Sequence, residues 1–297
     1  MDGKGAATGQ RGSGDPRRPL PARPALFDRI VCGIDGTDEA ILAARQAQRM
    51  APGTPTVLVH VIDVLDAVQH RRDYPAWIHA MRDTGRLLLG EARRKLEYEG
   101  GPALQVTVEE GDIAEALRYA AGPGPRTLIA VGSGDETDRR LRSSGPPPTG
   151  VRLCLRVVEA VPCTVLVARR PSQAGRFPRS ITVGVDGSGP SIYAYDLAER
   201  IAAGTGAELA VTVALGGKGA DLRALREAEP PVGISAVTED KPVKALLEAG
   251  AHSDLIVVGN RGLHGLRGLG SVSNRIVTNC PSSVLVVRGA VNPGDRY

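Results

Sequence analysis

Aromatic side chains are scarce in this sequence, only 3% of 297 residues with a single tryptophan. A chain so poor in flat rings lacks the platforms on which single-stranded nucleic acid stacks its bases. Cysteine is rare as well. Cys32, Cys154, Cys163 and Cys280 form no CxxC pair, and the histidines, His60, His70, His79, His252 and His264, form no HExxH pattern. Zinc chemistry and a disulfide framework are therefore not expected, and the cysteines read as buried, reduced thiols. No run approaches the ~18 uninterrupted apolar residues of a membrane span, and residues 1–24 lack the apolar stretch of a secretory signal. A cytoplasmic location is the expectation. Two phosphate-binding signatures are missing too: no GxxxxGK[ST] loop, and no GxGxxG after the first strand.

What is present is a layered α/β composition, 42% hydrophobic and 24% charged, with Val, Leu, Ile and Ala supplying the core. The net charge of +4 is partly a property of the first residues, where Lys4, Arg11, Arg17, Arg18 and Arg23 face only Asp2 and Asp15. That stretch, rich in Gly, Pro and Arg, is expected to be a disordered tail over 1–26. Elsewhere arginines alternate with acidic residues and no helix-turn-helix pattern appears, so nucleic acid is not an expected partner.

The chain repeats itself. "IVCGIDGTDEAILAARQAQRMA" from Ile30 lies without gaps over "ITVGVDGSGPSIYAYDLAERIA" from Ile181, Asp35 facing Asp186. Each half opens with a β-branched run ending in Asp-Gly-Thr or Asp-Gly-Ser, followed by apolar residues at helical spacing. Later, "LIAVGSG" from Leu128 faces "LIVVGNR" from Leu255, and "TVLVARR" from Thr164 faces "SVLVVRG" from Ser283. Nearly continuous Val, Leu and Ile strands alternating with amphipathic helices indicate parallel sheets buried on both faces. The expected architecture is α/β: two tandem doubly wound five-stranded parallel-sheet domains with strand order 3-2-1-4-5, over 27–170 and 179–290, joined by a linker at 171–178 and followed by a tail at 291–297.

In such sheets ligands bind beyond the carboxyl ends of the strands, where the strand order reverses. In the second half that point should be flanked by Asp186 and by "VVGNRGLHGLRGLGSVSNRIV", Val257 to Val277, which carries five glycines and no acidic residue. Glycine N–H groups and the start of a helix near Val272 are suited to phosphate oxygens. A carboxylate at Asp186 is suited to ribose hydroxyls or an adenine amino group. Asp-Gly is also an ordinary strand-to-helix turn with Asp at an N-cap position, and the glycine array at the neighbouring strand end is what favours the ligand reading.

These residues resemble the universal stress proteins in tandem two-domain form, over about Phe27 to Ala290. Nucleotide-binding members carry G-x-x-G, about nine residues, then G-[ST]. Here Gly259-Asn-Arg-Gly262 is followed after seven residues by Gly270-Ser271. The resemblance implies ATP, with or without Mg2+, as the bound nucleotide. Val185, Asp186 and Val213 would meet adenine and ribose; Val258, Gly259, Arg261, Gly262, Gly270, Ser271, Val272 and Ser273 would line the phosphate end. It also implies pairing through the fifth strands, Thr164 to Ala168 and Val284 to Val287, within one molecule or in a homodimer, and a regulatory role in stress response exerted on an unidentified protein partner. In the first half Asp135 replaces the second glycine, Asp135, Glu136 and Asp138 repel phosphate, and Pro146 to Pro148 remove N–H donors. One working site, in the second half, is expected. No catalytic carboxylate pair or Ser/His/Asp set is found, so the protein is not expected to be an enzyme, slow hydrolysis or self-phosphorylation on Ser271 or Ser273 being left open. The competing reading is a nucleotide-independent dimerising scaffold with both sites vestigial.

Overall fold

The protein is described as a computed structural model covering residues 25–64, 74–98, 104–124, 126–134, 149–170, 175–215, 220–228, 231–260 and 270–288. The first half runs β1 (Arg29–Gly33), α1 (Asp38–Met50), β2 (Thr56–Ile62), α2 (Tyr74–Tyr98), β3 (Leu104–Glu110), α3 (Ile113–Ala121), β4 (Thr127–Gly132), α4 (Thr149–Ala160) and β5 (Thr164–Ala168). The second runs β6 (Ser180–Val185), α5 (Gly189–Thr205), β7 (Glu208–Ala214), α6 (Leu222–Glu227), β8 (Ala236–Thr238), α7 (Pro242–Gly250), β9 (Leu255–Gly259), α8 (Ser271–Asn279) and β10 (Ser283–Val287).

Each half has the strand order 3-2-1-4-5, and the halves fuse into one ten-stranded sheet, β3-β2-β1-β4-β5-β10-β9-β6-β7-β8. Neighbours are parallel within each half; β5 and β10 meet antiparallel with Leu166 opposite Leu285. Of the two pairings open to the fifth strands, the fold contains the intramolecular one. Alternation along the strands sends side chains to two apolar layers. Ile30, Leu58, Leu128, Leu166, Leu255 and Leu285 pack under α1, α2, α5 and α6. Val31, Ile129, Val165, Ile256, Val284 and Val286 pack under α3, α4, α7 and α8. Both layers run through both halves, so the junction is core rather than surface, and each buried Val or Leu contributes about 1.5–3 kcal/mol.

The helices start where their caps dictate. Thr37 caps α1 by accepting from Ala40 N, and Asp112 caps α3 by accepting from Ala114 N and Glu115 N. Strand β8 is short, Ala236–Thr238; it lies at the sheet edge and pairs with β7. Of the tail expected over 1–26, Ala25 and Leu26 are described, with Leu26 packed on the core; the remainder, and the tail at 291–297, lie outside the described residues. Phe177, at the end of the linker, is buried in the same layer.

Candidate functional site

The second half's strand order reverses at β6, which pairs with β7 on one side and β9 on the other. Gly184 lies opposite Val258 and Val185 opposite Val213, so the backbone following Val185 emerges beside Gly259 and Asn260. There the chain turns sharply. Asp186 Oδ1 accepts from Ser188 N at 3.0 Å and from Ser188 Oγ at 2.6 Å, while Gly187 between them has φ +84°. That backbone conformation favours glycine, and a Cβ at Gly187 would also stand 2.5 Å from the carbonyl oxygen of Asp221. The helix cap is Ser188 rather than Asp186. The carboxylate braces the turn and leaves its position at the crevice unchanged.

The opposite wall is the start of α8. Its cap, Gly270, has no side chain to offer the first-turn N–H groups, so those of Ser271, Val272 and Ser273 present the positive end of the helix dipole. No acidic residue lies in that first turn. Gly270 N donates to Asn260 Oδ1 at 3.2 Å, tying the far end of the glycine loop back to the strand it leaves. Asn260 is 7% exposed. It is a site residue that the sequence reading passed over; the signal was an amide sitting between Gly259 and Arg261, where a polar side chain must bridge or face solvent.

The expected residues fall into three groups. Asp186, Gly259, Gly270, Ser271, Val272 and Ser273 cluster around the carboxyl ends of β6 and β9. Val185 and Val213 belong to the layer under α5, Val213 being fully buried, whereas Val258 belongs to the opposite layer. The three valines therefore do not form one wall. Arg261 and Gly262 lie outside the described residues, as do Asp135 to Pro148 of the first half.

Two residues have structural tasks shared with the first half. A Cβ at Gly259 would stand 2.4 Å from the carbonyl oxygen of Pro190, and one at Gly132 would stand 2.8 Å from the backbone carbon of Glu39. Both glycines admit the first turn of a helix against the strand end. Ser273 Oγ lies 3.4 Å from Gly259 O, and Cys154, its counterpart on α4, donates to Gly132 O at 3.1 Å. What distinguishes α8 at this end is its backbone. Aligned on the fifth strands, α4 begins one turn earlier than α8, and among the described residues no helix of the first half is opened by glycine as α8 is.

Among the described residues no group of three His, Cys, Asp or Glu side chains is placed to hold a metal ion. The cysteines are buried and unpaired in disulfides, and burial pushes the Cys32 thiol up to about 12 and Cys163 up to about 11. Thiols so far from ionising are poor nucleophiles.

This arrangement has relatives. A universal stress protein of Mycobacterium tuberculosis is 26% identical over 307 residues, spanning 90% of this chain and 99% of the relative. In three dimensions a universal stress protein of Archaeoglobus fulgidus superposes with a TM-score of 0.67 at 20% identity, over 90% of this chain and 99% of its own. The cytoplasmic domain of a prokaryotic cation chloride cotransporter also shares the fold, with a TM-score of 0.50 at 14% identity over 88% of this chain and 95% of its own. A shared fold does not settle function. The profile of the universal stress protein family matches residues 26–169 and 215–288, in both halves, and the chain belongs to that family.

Proposed function

We propose that the second half binds an adenine nucleotide, ATP or a close relative, and that the protein acts as a nucleotide-responsive regulatory module in stress physiology rather than as an enzyme. The observation that carries this reading is the bare helix start at Gly270, set across the strand-order reversal from Asp186. Main-chain N–H groups and a helix dipole would receive phosphate, and the Asp186 carboxylate would accept from ribose or adenine. Val213 being fully buried, the base would rest on the open end of the crevice rather than on that side chain. Two carboxylates lie at this turn: Asp186, engaged with Ser188, and Asp221, whose N–H donates to Asp186 O and whose Oδ1 caps α6. A Mg2+ arriving with ATP would be held mainly by its phosphates and water, the usual arrangement for that ion.

The test is calorimetric titration with ATP and Mg2+ of wild type, Asp186→Asn and Asp35→Asn. Asparagine keeps the Oδ1 acceptor that braces each turn and removes the charge, so the turns survive. Asp186→Asn is expected to weaken binding about tenfold, the scale of one charged hydrogen bond, and Asp35→Asn to leave it unchanged. Absence of binding to wild type would sink this reading for ATP and favour the scaffold reading, which the burial of Val213 supports. The fused sheet is compatible with either, since β5 and β10 already occupy one another's edges. A cytoplasmic location and an as yet unidentified protein partner complete the proposal.

A further inference from the structure

We propose that Arg169, a residue of the first half, is a positioning residue for the ligand end of the second half: it crosses the junction, grips helix α8 at its carboxyl end, and thereby sets the helix start at Gly270. The inference rests on the nucleotide reading for its ligand, and on the junction for its geometry. Because Leu166 faces Leu285, a local twofold axis passes between them and relates the two fifth strands. Arg169 follows β5 as Arg288 follows β10. Arg169 Nη1 donates to Ser282 O at 3.1 Å and Nη2 donates to Val277 O on α8. Across the axis, Arg288 Nη2 donates to Val158 O on α4 at 2.7 Å. Each half thus places a cation on the last turn of the other half's loop helix, where the negative end of the dipole lies.

The two grips are not equal. Arg169 is 3% exposed, and its backbone is fastened as well: Gln46 Nε2 donates to Arg169 O at 2.8 Å, Ser283 Oγ lies 2.8 Å from Gln46 Oε1, and Arg169 N donates to Ser283 Oγ at 2.9 Å. The position matching Gln46 in the second half is Leu197, which has no amide to offer. Helix α8 has nine residues, about 13 Å of rigid rod at 1.5 Å per residue. A shift at Val277 is therefore delivered to Ser271, Val272 and Ser273. Helix α1, which begins beside Asp35, is joined through Gln46 to the same fastening. The first half, in which no described helix is opened by glycine, would serve the second as the anchor of its ligand end.

The full chain is used for the test, with Arg169→Met, Arg288→Met and Gln46→Leu, the last copying the second half's own Leu197. Amide hydrogen exchange across α4 and α8 is followed without ligand, and ATP with Mg2+ is titrated separately. Arg169→Met is expected to raise exchange at Asn274 to Val277, whose N–H groups are protected within the helix from Asn274 N–Gly270 O onward, about tenfold and weaken ATP about tenfold; Gln46→Leu acts in the same direction by about threefold. Arg288→Met is expected to loosen α4 and leave both α8 and ATP affinity as in wild type. If both arginine variants loosen both helices alike, or if Gln46→Leu and a folded Arg169→Met leave α8 exchange at the wild-type rate, the proposal is overturned. A wild type that binds no ATP yet shows the exchange contrast would sink the nucleotide reading while upholding Arg169 as the residue that positions α8.

Discussion

The two halves open with the same turn and end with different loops. Asp35 Oδ1 meets Thr37 N at 3.0 Å and Thr37 Oγ1 at 2.6 Å, and Asp186 Oδ1 meets Ser188 N and Oγ at the same distances. Since a half expected to bind nothing keeps this geometry, the aspartate is needed first by the turn. The differences begin one residue later. Helix α1 starts with Asp38 and Glu39, which satisfy its dipole with carboxylates, and Glu39 pairs with Arg170 at 3.2 Å. Helix α5 starts with Gly189 and Pro190 and carries no acid in its first turn. An anion would therefore meet carboxylates at the start of α1, and no acidic side chain in the first turns of α5 and α8. Ligand competence, on this comparison, lies in what surrounds the turn.

The matched glycines test that comparison with the largest effect. Gly132→Val and Gly259→Val each drive a side chain into the backbone of a helix's first turn. Each is expected to destabilise the protein by about 3 kcal/mol, with Gly259→Val the more severe because its nearest obstacle is a carbonyl oxygen at 2.4 Å. Urea unfolding of both variants measures this. A Gly259→Val protein as stable as wild type that had lost only its ligand would show Gly259 to be a ligand glycine and would break the equivalence.

A smaller contrast lies in the hydroxyls of the turns. Thr37 Oγ1 donates to Asp35 and also accepts from Ala40 N at 3.2 Å, whereas Ser188 makes no side-chain cap bond. Thr37→Ala is expected to cost about 1 kcal/mol, the usual value for a lost N-cap, and Ser188→Ala about 0.5 kcal/mol for one neutral hydrogen bond. Equal losses in thermal unfolding would mean that α5 is capped as firmly as α1 and that its open start has been misread.

Most of this fold was legible in the sequence because it is written in period. Apolar runs alternating with amphipathic stretches announce the parallel strands and covering helices, and the duplicated Asp-Gly turn announces the tandem arrangement. The site was less legible, for three physical reasons. A glycine that admits a neighbouring helix and a glycine that admits a phosphate look alike in one dimension, and Gly259 does the first. Burial of Val213 depends on how α6 and β8 close over β7, which no local pattern reports. Contacts between residues distant in sequence, Asn260 to Gly270 closing a loop within one half and Arg169 to Val277 joining the halves, exist only once the chain has folded.

The smallest effect expected is electrostatic, and it separates the halves by pH. On α2, hydrogen bonding to Lys95 and then its charge hold the Glu91 carboxyl below its usual 4.5, and Arg93 does the same for Glu97. Just before α7, the hydrogen bond from Lys244 on that helix holds Asp240 below its usual 3.8. A carboxyl whose folded value is depressed favours the folded state above its unfolded value, and that preference disappears as pH falls through the folded value. The α2 pairs should thus begin to lose their contribution below about pH 4.5 and the α7 pair below about pH 3.8. These groups are exposed or half-exposed, so the effects are small and screened by salt. Amide exchange during acidification should show α2 loosening at higher pH than α7, with the gap narrowing in about 0.5 M salt. Simultaneous loosening, or a gap indifferent to salt, would mean that acid acts on the shared sheet beneath both helices, and that the halves, distinct at their crevices, respond to pH as one body.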